Sequence, residues 1–133
     1  MYIDKLLEIC TSLDLGALGD VTTLSENSVD LGAAKDLSKG RPLYAVVTIE
    51  EAFDGTCNFQ VITDSVATLA DTPTVHSTTG ALASASLTLN REPIVIPIGN
   101  PLSVSEQFLG MQFTCAGSTT TGIVSAHIGF ETP

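Results

Sequence analysis

The sequence of 133 residues predicts a single all-β domain, a jelly roll or another β-sandwich of about eight strands. Three observations support this fold class. Segments of alternating apolar and polar residues recur at roughly ten-residue spacing, valine, isoleucine and threonine are abundant in them, and turn residues such as Asp54-Gly55 separate them. The hydrophobic share of 44% is sufficient for a buried core without disulfides or metals.

The N-terminal segment 1–13 is expected to be either an arm lying across a neighbour or a short helix, because so short a segment shows no decisive periodicity. Residues 14–27 contain glycines and small polar residues, which is typical of a loop with one short strand at most. Another short strand is expected at 28–31, and the jelly-roll domain is placed at 14–133. The residues that would share one face of the N-terminal helix are Leu6, Leu7, Cys10 and Leu13.

The clearest strand is the segment 42–53, PLYAVVTIEEAF. Both of its faces are apolar in the first half, which predicts a central strand covered on each side. Glu50, Glu51 and Asp54 mark the point where the chain returns to solvent. The residues on one face are Leu43, Ala45, Val47 and Ile49, and those on the other are Tyr44, Val46, Thr48 and Glu50.

The remaining strands follow from the same alternation. Residues 67–69 are expected to form a short helix or strand, and Gly80 is expected to separate two strands. The prolines at 93 and 97 favour an edge or irregular strand, and the linker GSTTTG predicts a hairpin between the last two strands. The expected strands are 57–64, 74–79, 81–89, 93–98, 107–116 and 122–131.

The formal net charge of −10 argues against anionic partners. Five lysines and arginines are too few to neutralise a nucleic-acid backbone, and an anionic membrane surface is disfavoured for the same reason. No apolar run is long enough to cross a membrane, and Asp4 and Glu8 interrupt what would be the apolar part of a secretion signal. The cysteines Cys10, Cys57 and Cys115 match no metal-binding spacing, so we expect buried or half-buried free thiols in a reducing cytosol.

No catalytic, cofactor-binding or metal-binding residue is predicted. His76 and His127 lie among many serines and aspartates, but no nucleophile or metal signature accompanies them. Glu50, Glu51 and Asp54 are better explained as a solvated strand end than as a calcium site. Two alternatives remain open: a cupin-like jelly-roll enzyme, in which both histidines and carboxylates would converge, and a glycan-binding module, which the absence of tryptophan disfavours.

The segment from Ser28 to Phe53 contains the sequence DLGAA, a glycine turn, the tripeptide PLY and a valine-rich strand. In this order the segment resembles the capsid cement proteins of tailed bacteriophages, a family typified by a head protein of a Bordetella phage. The motif residues are Asp30, Leu31, Gly32, Ala33, Gly40, Pro42, Leu43 and Phe53.

This resemblance implies a structural protein without enzyme activity or cofactor. Family members are jelly rolls that bind the outside of the assembled capsid as homo-oligomers and cement neighbouring major capsid subunits non-covalently. The implied partners are the phage major capsid protein and further copies of this chain, as a dimer or trimer, on a virion assembled in the host cytoplasm. The candidate oligomer or capsid contacts are the apolar residues of the N-terminal arm, Tyr2, Ile3, Leu6 and Leu7.

Overall fold

A computed structural model describes residues 8–30, 43–89, 91–98 and 108–129. It confirms a single, nearly all-β domain with two antiparallel sheets. One four-residue helix, α1 (Leu15–Leu18), and a short 3-10 turn at Ser84–Ser86 interrupt the strands. The strands of the described residues are β1 (Glu8–Asp14), β2 (Thr22–Leu24), β3 (Val29–Asp30), β4 (Leu43–Glu51), β5 (Thr56–Asp64), β6 (Thr74–Leu82), β7 (Ile94–Ile98), β8 (Phe108–Ala116) and β9 (Ile123–Gly129).

The strand order is that of a jelly roll. Sheet A has the order β1-β9-β4-β7, and sheet B has the order β2-β8-β5-β6 with β3 also paired to β8. The chain therefore passes from one sheet to the other at most of its connections, which distinguishes this sandwich from two stacked meanders. No helix in the described part of the chain is long and apolar enough to span a membrane.

The core lies between the two sheets and differs in chemistry on its two sides. Sheet A contributes mainly aliphatic side chains, whereas sheet B contributes phenylalanine, methionine and cysteine. Phe59 is fully buried and meets the rings of Phe53 and Phe113 edge to face, with centroids 6.3 and 5.7 Å apart. Such edge-to-face pairs add to the stability that burial alone provides.

The predicted central strand is confirmed. β4 lies between β7 and β9, and Ala45, Val46 and Val47 are all fully buried although they alternate between the faces of the sheet. β7 is an edge strand, as its prolines predict, and Pro97 lies opposite Tyr44 of β4.

The prediction of a hairpin at the C-terminal end is wrong. β8 pairs with β2, β3 and β5 in sheet B, whereas β9 pairs with β1 and β4 in sheet A. Residues 117–122 therefore cross from one sheet to the other. A six-residue linker between two alternating segments is compatible with either connection, and alternation alone does not distinguish them.

Three further expectations need correction. Gly80 has φ +71° and produces a bulge within the single strand β6, instead of separating two strands. Residues 67–69 form a turn, in which Leu69 has φ +61° and is buried against the space left by Gly110. Residues 8–13 of the expected arm or short helix belong to β1 (Glu8–Asp14) of sheet A, and residues 1–7 lie outside the described part of the chain.

Candidate functional site

Two connections between the sheets meet at one end of the sandwich, which we call the crossover end. Residues 52–55 carry the chain from β4 to β5, and residues 117–122 carry it from β8 to β9. Helix α1 lies against the second connection, because the N–H groups of Leu15 and Gly16 donate to the carbonyl oxygen of Gly122 at 2.8 and 3.1 Å. The crossover end is therefore the point where the two sheets are joined most directly.

Asp54 holds the loop 117–122 from the side of β4. Its carboxylate accepts hydrogen bonds from the backbone N–H groups of Thr120 (2.8 Å) and Thr121 (3.1 Å) and from the Thr120 hydroxyl. The Thr121 hydroxyl donates in turn to the Ala52 carbonyl oxygen at 2.9 Å. The hydrogen bond from the Thr120 hydroxyl, followed by the two backbone donors, lowers the pKa of Asp54 to about 2.

Asp20 holds the same loop from the side of β2. Its two carboxylate oxygens accept from the N–H groups of Ser118 and Thr119, both at 2.8 Å. These bonds, the one from Thr119 first, lower the pKa of Asp20 below its usual value. The loop thus has four consecutive N–H groups bound to two aspartates from distant parts of the chain.

Glycine is required where the connections approach each other. A Cβ atom on Gly16 would lie 2.5 Å from the Cα atom of Thr121, and one on Gly55 would lie 2.5 Å from the carbonyl oxygen of Ala116. Both obstacles are backbone atoms, which a rotamer change cannot remove. The close packing and the carboxylate bonds together make the crossover end a rigid junction rather than an open cleft.

The carboxylates considered for a calcium site are engaged by the protein itself. Glu50 accepts from the hydroxyls of Ser12 and Ser125, each at 2.6 Å, and Glu51 accepts from the Gly122 N–H at 3.1 Å. The serine hydroxyls also lower the pKa of Glu50. Within the described residues, no group of three or more His, Cys, Asp or Glu side chains is arranged to hold a metal ion.

The two histidines lie on different sheets. His76 is on β6, and its Nε2 atom lies 2.7 Å from the hydroxyl of Thr63. His127 is on β9 of sheet A, opposite Val46 and Glu8, and is only 6% exposed. Burial lowers the pKa of His127. The structure therefore does not bring this pair into the common pocket that the cupin-like alternative requires.

All three cysteines are buried free thiols, as predicted. Cys10 lies on β1, whereas Cys57 and Cys115 are directly opposite each other on β5 and β8. The Cys115 thiol donates to the Cys57 sulfur at 3.4 Å.

Apart from Asp64 at the end of β5, the outward side of sheet B presents uncharged side chains on β2, β5, β6 and β8, and we call this region the polar face. Asn58 and Gln60 of β5 alternate with the buried Cys57, Phe59 and Val61 and so point away from the core. Neighbouring side chains pair across the strands: Gln112 donates to Gln60, the hydroxyls of Thr22 and Thr114 lie 3.1 Å apart, and Thr78 donates to Asn58 at 2.8 Å. The polar face consists of Thr22, Leu24, Asn58, Gln60, Thr78, Ala81, Gln112 and Thr114.

Three of the predicted motif residues lie in the part of the chain that the structure describes. Asp30 is exposed on β3 opposite Phe108, Leu43 begins β4 opposite Ile98, and Phe53 is buried against Phe59. The other motif residues, Leu31, Gly32, Ala33, Gly40 and Pro42, lie outside the described residues, as do the predicted contacts Tyr2, Ile3, Leu6 and Leu7.

Sequence reasoning did not find the crossover end or the polar face. Asp54 and Asp20 are separated from their loop partners by 66 to 99 positions, and no local motif reports such a contact. The polar face carries a local signal, since the outward residues of β8 and those of β5 before Asp64 are uncharged. The sequence pattern of each strand predicts a continuous polar surface only when β5 and β8 are known to be neighbours.

Comparison with known proteins gives one family. The family model described as Bbp16 matches residues 18–128. The matched region includes β2 to β8 and nearly all of β9, and thus most of both sheets. No curated protein matches the chain.

Proposed function

The chain belongs to the Bbp16 family of Bordetella phage proteins, and from this membership we propose that it is a structural protein of the phage head. It binds the outside of the assembled capsid and cements neighbouring major capsid subunits without covalent bonds. It does so as a dimer or trimer, on a virion that is assembled in the host cytoplasm. On this proposal the protein acts by binding to other proteins and catalyses no reaction.

The family match is the strongest support for this proposal. A jelly roll alone is not sufficient, because lectins, cupins and viral capsid proteins all use it. The match covers residues 18–128 and is therefore a property of most of the sandwich instead of one short motif. The resemblance of the segment 28–53 to phage cement proteins supports the same class of function.

The rigid crossover end also suits a protein that must resist force. The Asp54 and Asp20 carboxylates tie the loop 117–122 to the connection after β4 and to the turn before β2. A load applied to one sheet is thereby transmitted to the other through hydrogen bonds near the surface as well as through the core. Cementing a shell requires this kind of stiffness in the bridging protein.

We propose the polar face as the surface that contacts the major capsid protein. The chain carries a net charge of −10, and burying an unpaired carboxylate in an interface is unfavourable. The centres of protein interfaces are accordingly depleted of charged residues. The polar face combines uncharged side chains with half-buried and exposed hydrogen-bonding groups over four strands, which fits such a centre. The N-terminal residues Tyr2, Ile3, Leu6 and Leu7 remain a second predicted contact.

The proposal is tested by mixing the purified protein with assembled, cement-free phage heads and measuring co-sedimentation. We expect saturable binding at a simple ratio to capsid subunits, and little binding to unassembled capsid protein. If the protein saturates neither heads nor subunits, the cement function is excluded.

A matched pair of variants tests the proposed surface separately. Ala81 is exposed on the polar face, and Ala17 is exposed on α1 at the crossover end. Ala81→Lys places a charge in the proposed contact and is expected to weaken head binding about tenfold or more, as an unpaired interface charge does. Ala17→Lys makes the same change of charge and is expected to bind like the unaltered protein. Equal binding of both variants would remove the polar face from the proposal while leaving the function intact.

A further inference from the structure

Cys57 and Cys115 form a close pair of thiols in the described core, at the crossover end of sheet B. Their sulfur atoms lie 3.4 Å apart, joined by a hydrogen bond in which Cys115 is the donor. Both residues are buried, with exposed fractions of 0% and 4% respectively. The proposed function makes no use of this pair.

The backbone at this position is suited to a covalent bond. Cys57 and Cys115 are direct partners in the β5–β8 ladder, and the Cys115 N–H donates to the Val21 carbonyl oxygen at 3.2 Å, away from β5. The pair is therefore of the non-hydrogen-bonded type, in which the Cα atoms are about 4.5 Å apart. This separation falls within the range of about 4.4–6.8 Å that disulfides span. Only the sulfur atoms need to approach, to about 2.05 Å.

We infer that Cys57 and Cys115 are a modification site, where a small two-electron oxidant such as hydrogen peroxide forms a cross-strand disulfide within sheet B. The Cys115 sulfur attacks a peroxide oxygen, which breaks the O–O bond, releases water and leaves a sulfenic acid. The Cys57 sulfur then displaces the sulfenic oxygen, which leaves as a second water. Two thiols and one peroxide thus give one disulfide and two waters.

The pairing is selective because the third cysteine is placed elsewhere. Cys10 lies on β1 of sheet A, opposite Ala126, whereas the pair lies on sheet B. Cys115 is the more exposed thiol of the pair and lies one position from the end of β8, next to the loop held by Asp20. A small oxidant is therefore expected to reach Cys115 first, and the neighbouring Cys57 resolves the intermediate.

The bond would link positions 58 residues apart and restrict the unfolded chain. Because the folded backbone already has the required spacing, we expect little strain to offset this gain. The melting temperature of the oxidised protein is expected to rise by an amount on the order of 10 °C.

The test uses the full chain with all cysteines present. The reduced protein is treated with hydrogen peroxide, quenched, alkylated under denaturing conditions and mapped by mass spectrometry. We expect a cross-linked pair of Cys57 and Cys115 peptides, a mass lower by about 2 Da than the reduced chain, and an alkylated Cys10. Dithiothreitol should restore the three alkylatable thiols and the original melting temperature.

Cys10→Ala serves as the matched control and should oxidise in the same way, whereas Cys115→Ala should form no intramolecular bond. The readouts on the unaltered chain and on Cys10→Ala decide the question even if Cys115→Ala folds poorly. Failure to cross-link, pairing with Cys10, or a lower melting temperature after oxidation would overturn the inference. Since no capsid is involved, the result is independent of the proposed function.

Discussion

Phe59→Leu tests how much the aromatic cluster contributes to the stability of the sandwich. Phe59 is fully buried and meets two rings, Phe53 at 6.3 Å and Phe113 at 5.7 Å, both near perpendicular. Each edge-to-face pair is worth about 0.5–1.5 kcal/mol beyond burial. Losing both pairs while keeping an apolar side chain should lower the free energy of unfolding by about 2 kcal/mol. Phe59→Ala, which also leaves a cavity, should cost about 3–5 kcal/mol.

Urea unfolding followed by far-ultraviolet circular dichroism measures this change, because the chain contains no tryptophan for fluorescence. A double-mutant cycle with Phe113→Leu isolates the ring contact, and we expect a coupling of about 0.5–1.5 kcal/mol. Val75→Ala, at a side chain that is 45% exposed, serves as control and should change stability by less than about 0.5 kcal/mol. Additive effects of the two substitutions, with a coupling below about 0.3 kcal/mol, would show that the rings contribute through burial alone.

Three other predictions concern the crossover end and the acid response. Gly122→Ala should destabilise the fold, because Gly122 has φ +146° and a Cβ atom there would lie 2.6 Å from the Phe53 ring. A lower urea midpoint of unfolding measures this loss of stability. Burial lowers the pKa of His127 in the folded protein. The unfolded chain therefore binds more protons than the folded protein, and stability should fall as the pH decreases from above 6.5. The urea midpoint of His127→Gln should lack this pH dependence. The pKa of Asp54 is about 2 in the folded protein and 3.8 in the unfolded chain, so its contribution to stability is present above pH 3.8 and is lost as the pH falls through 2. Asp54→Asn should be less stable at neutral pH and should lose this acid-dependent step in stability. An unchanged acid profile of the variant would refute the assigned hydrogen bonds.

The strands were predictable because their signal is local. The segments containing β4 and β5 alternate cleanly, and the pleat alone converts this alternation into a buried and an exposed face. The prolines of β7 likewise exclude a central position without any knowledge of the neighbours. The fold class therefore followed from periodicity and turn residues.

The connections were not predictable, because their determinants are distant in sequence. The loop 117–122 crosses between the sheets while its N–H groups are bound by Asp54 and Asp20, which are 66 and 98 positions from their first loop partners. Gly80 was expected to separate two strands and instead lies in a bulge of β6, because a positive φ fits both a turn and a bulge and only the pairing with β5 decides between them. The polar face was not predictable for the same reason, since it forms only because β5 and β8 are neighbours in sheet B.

The position of β9 has a consequence for synthesis of the chain. β9 is the last strand in sequence, yet it lies inside sheet A, between β1 and β4. Until residues 123–129 have left the ribosome, β1 lacks the one partner it has among the described strands, and one side of β4 lacks its ladder. Strands β1 and β4 must therefore wait with unpaired edges exposed to other nascent chains, whereas the strands of sheet B can already pair. The synthesis of β9, rather than of the first strands made, should therefore determine how much of the protein reaches its folded form.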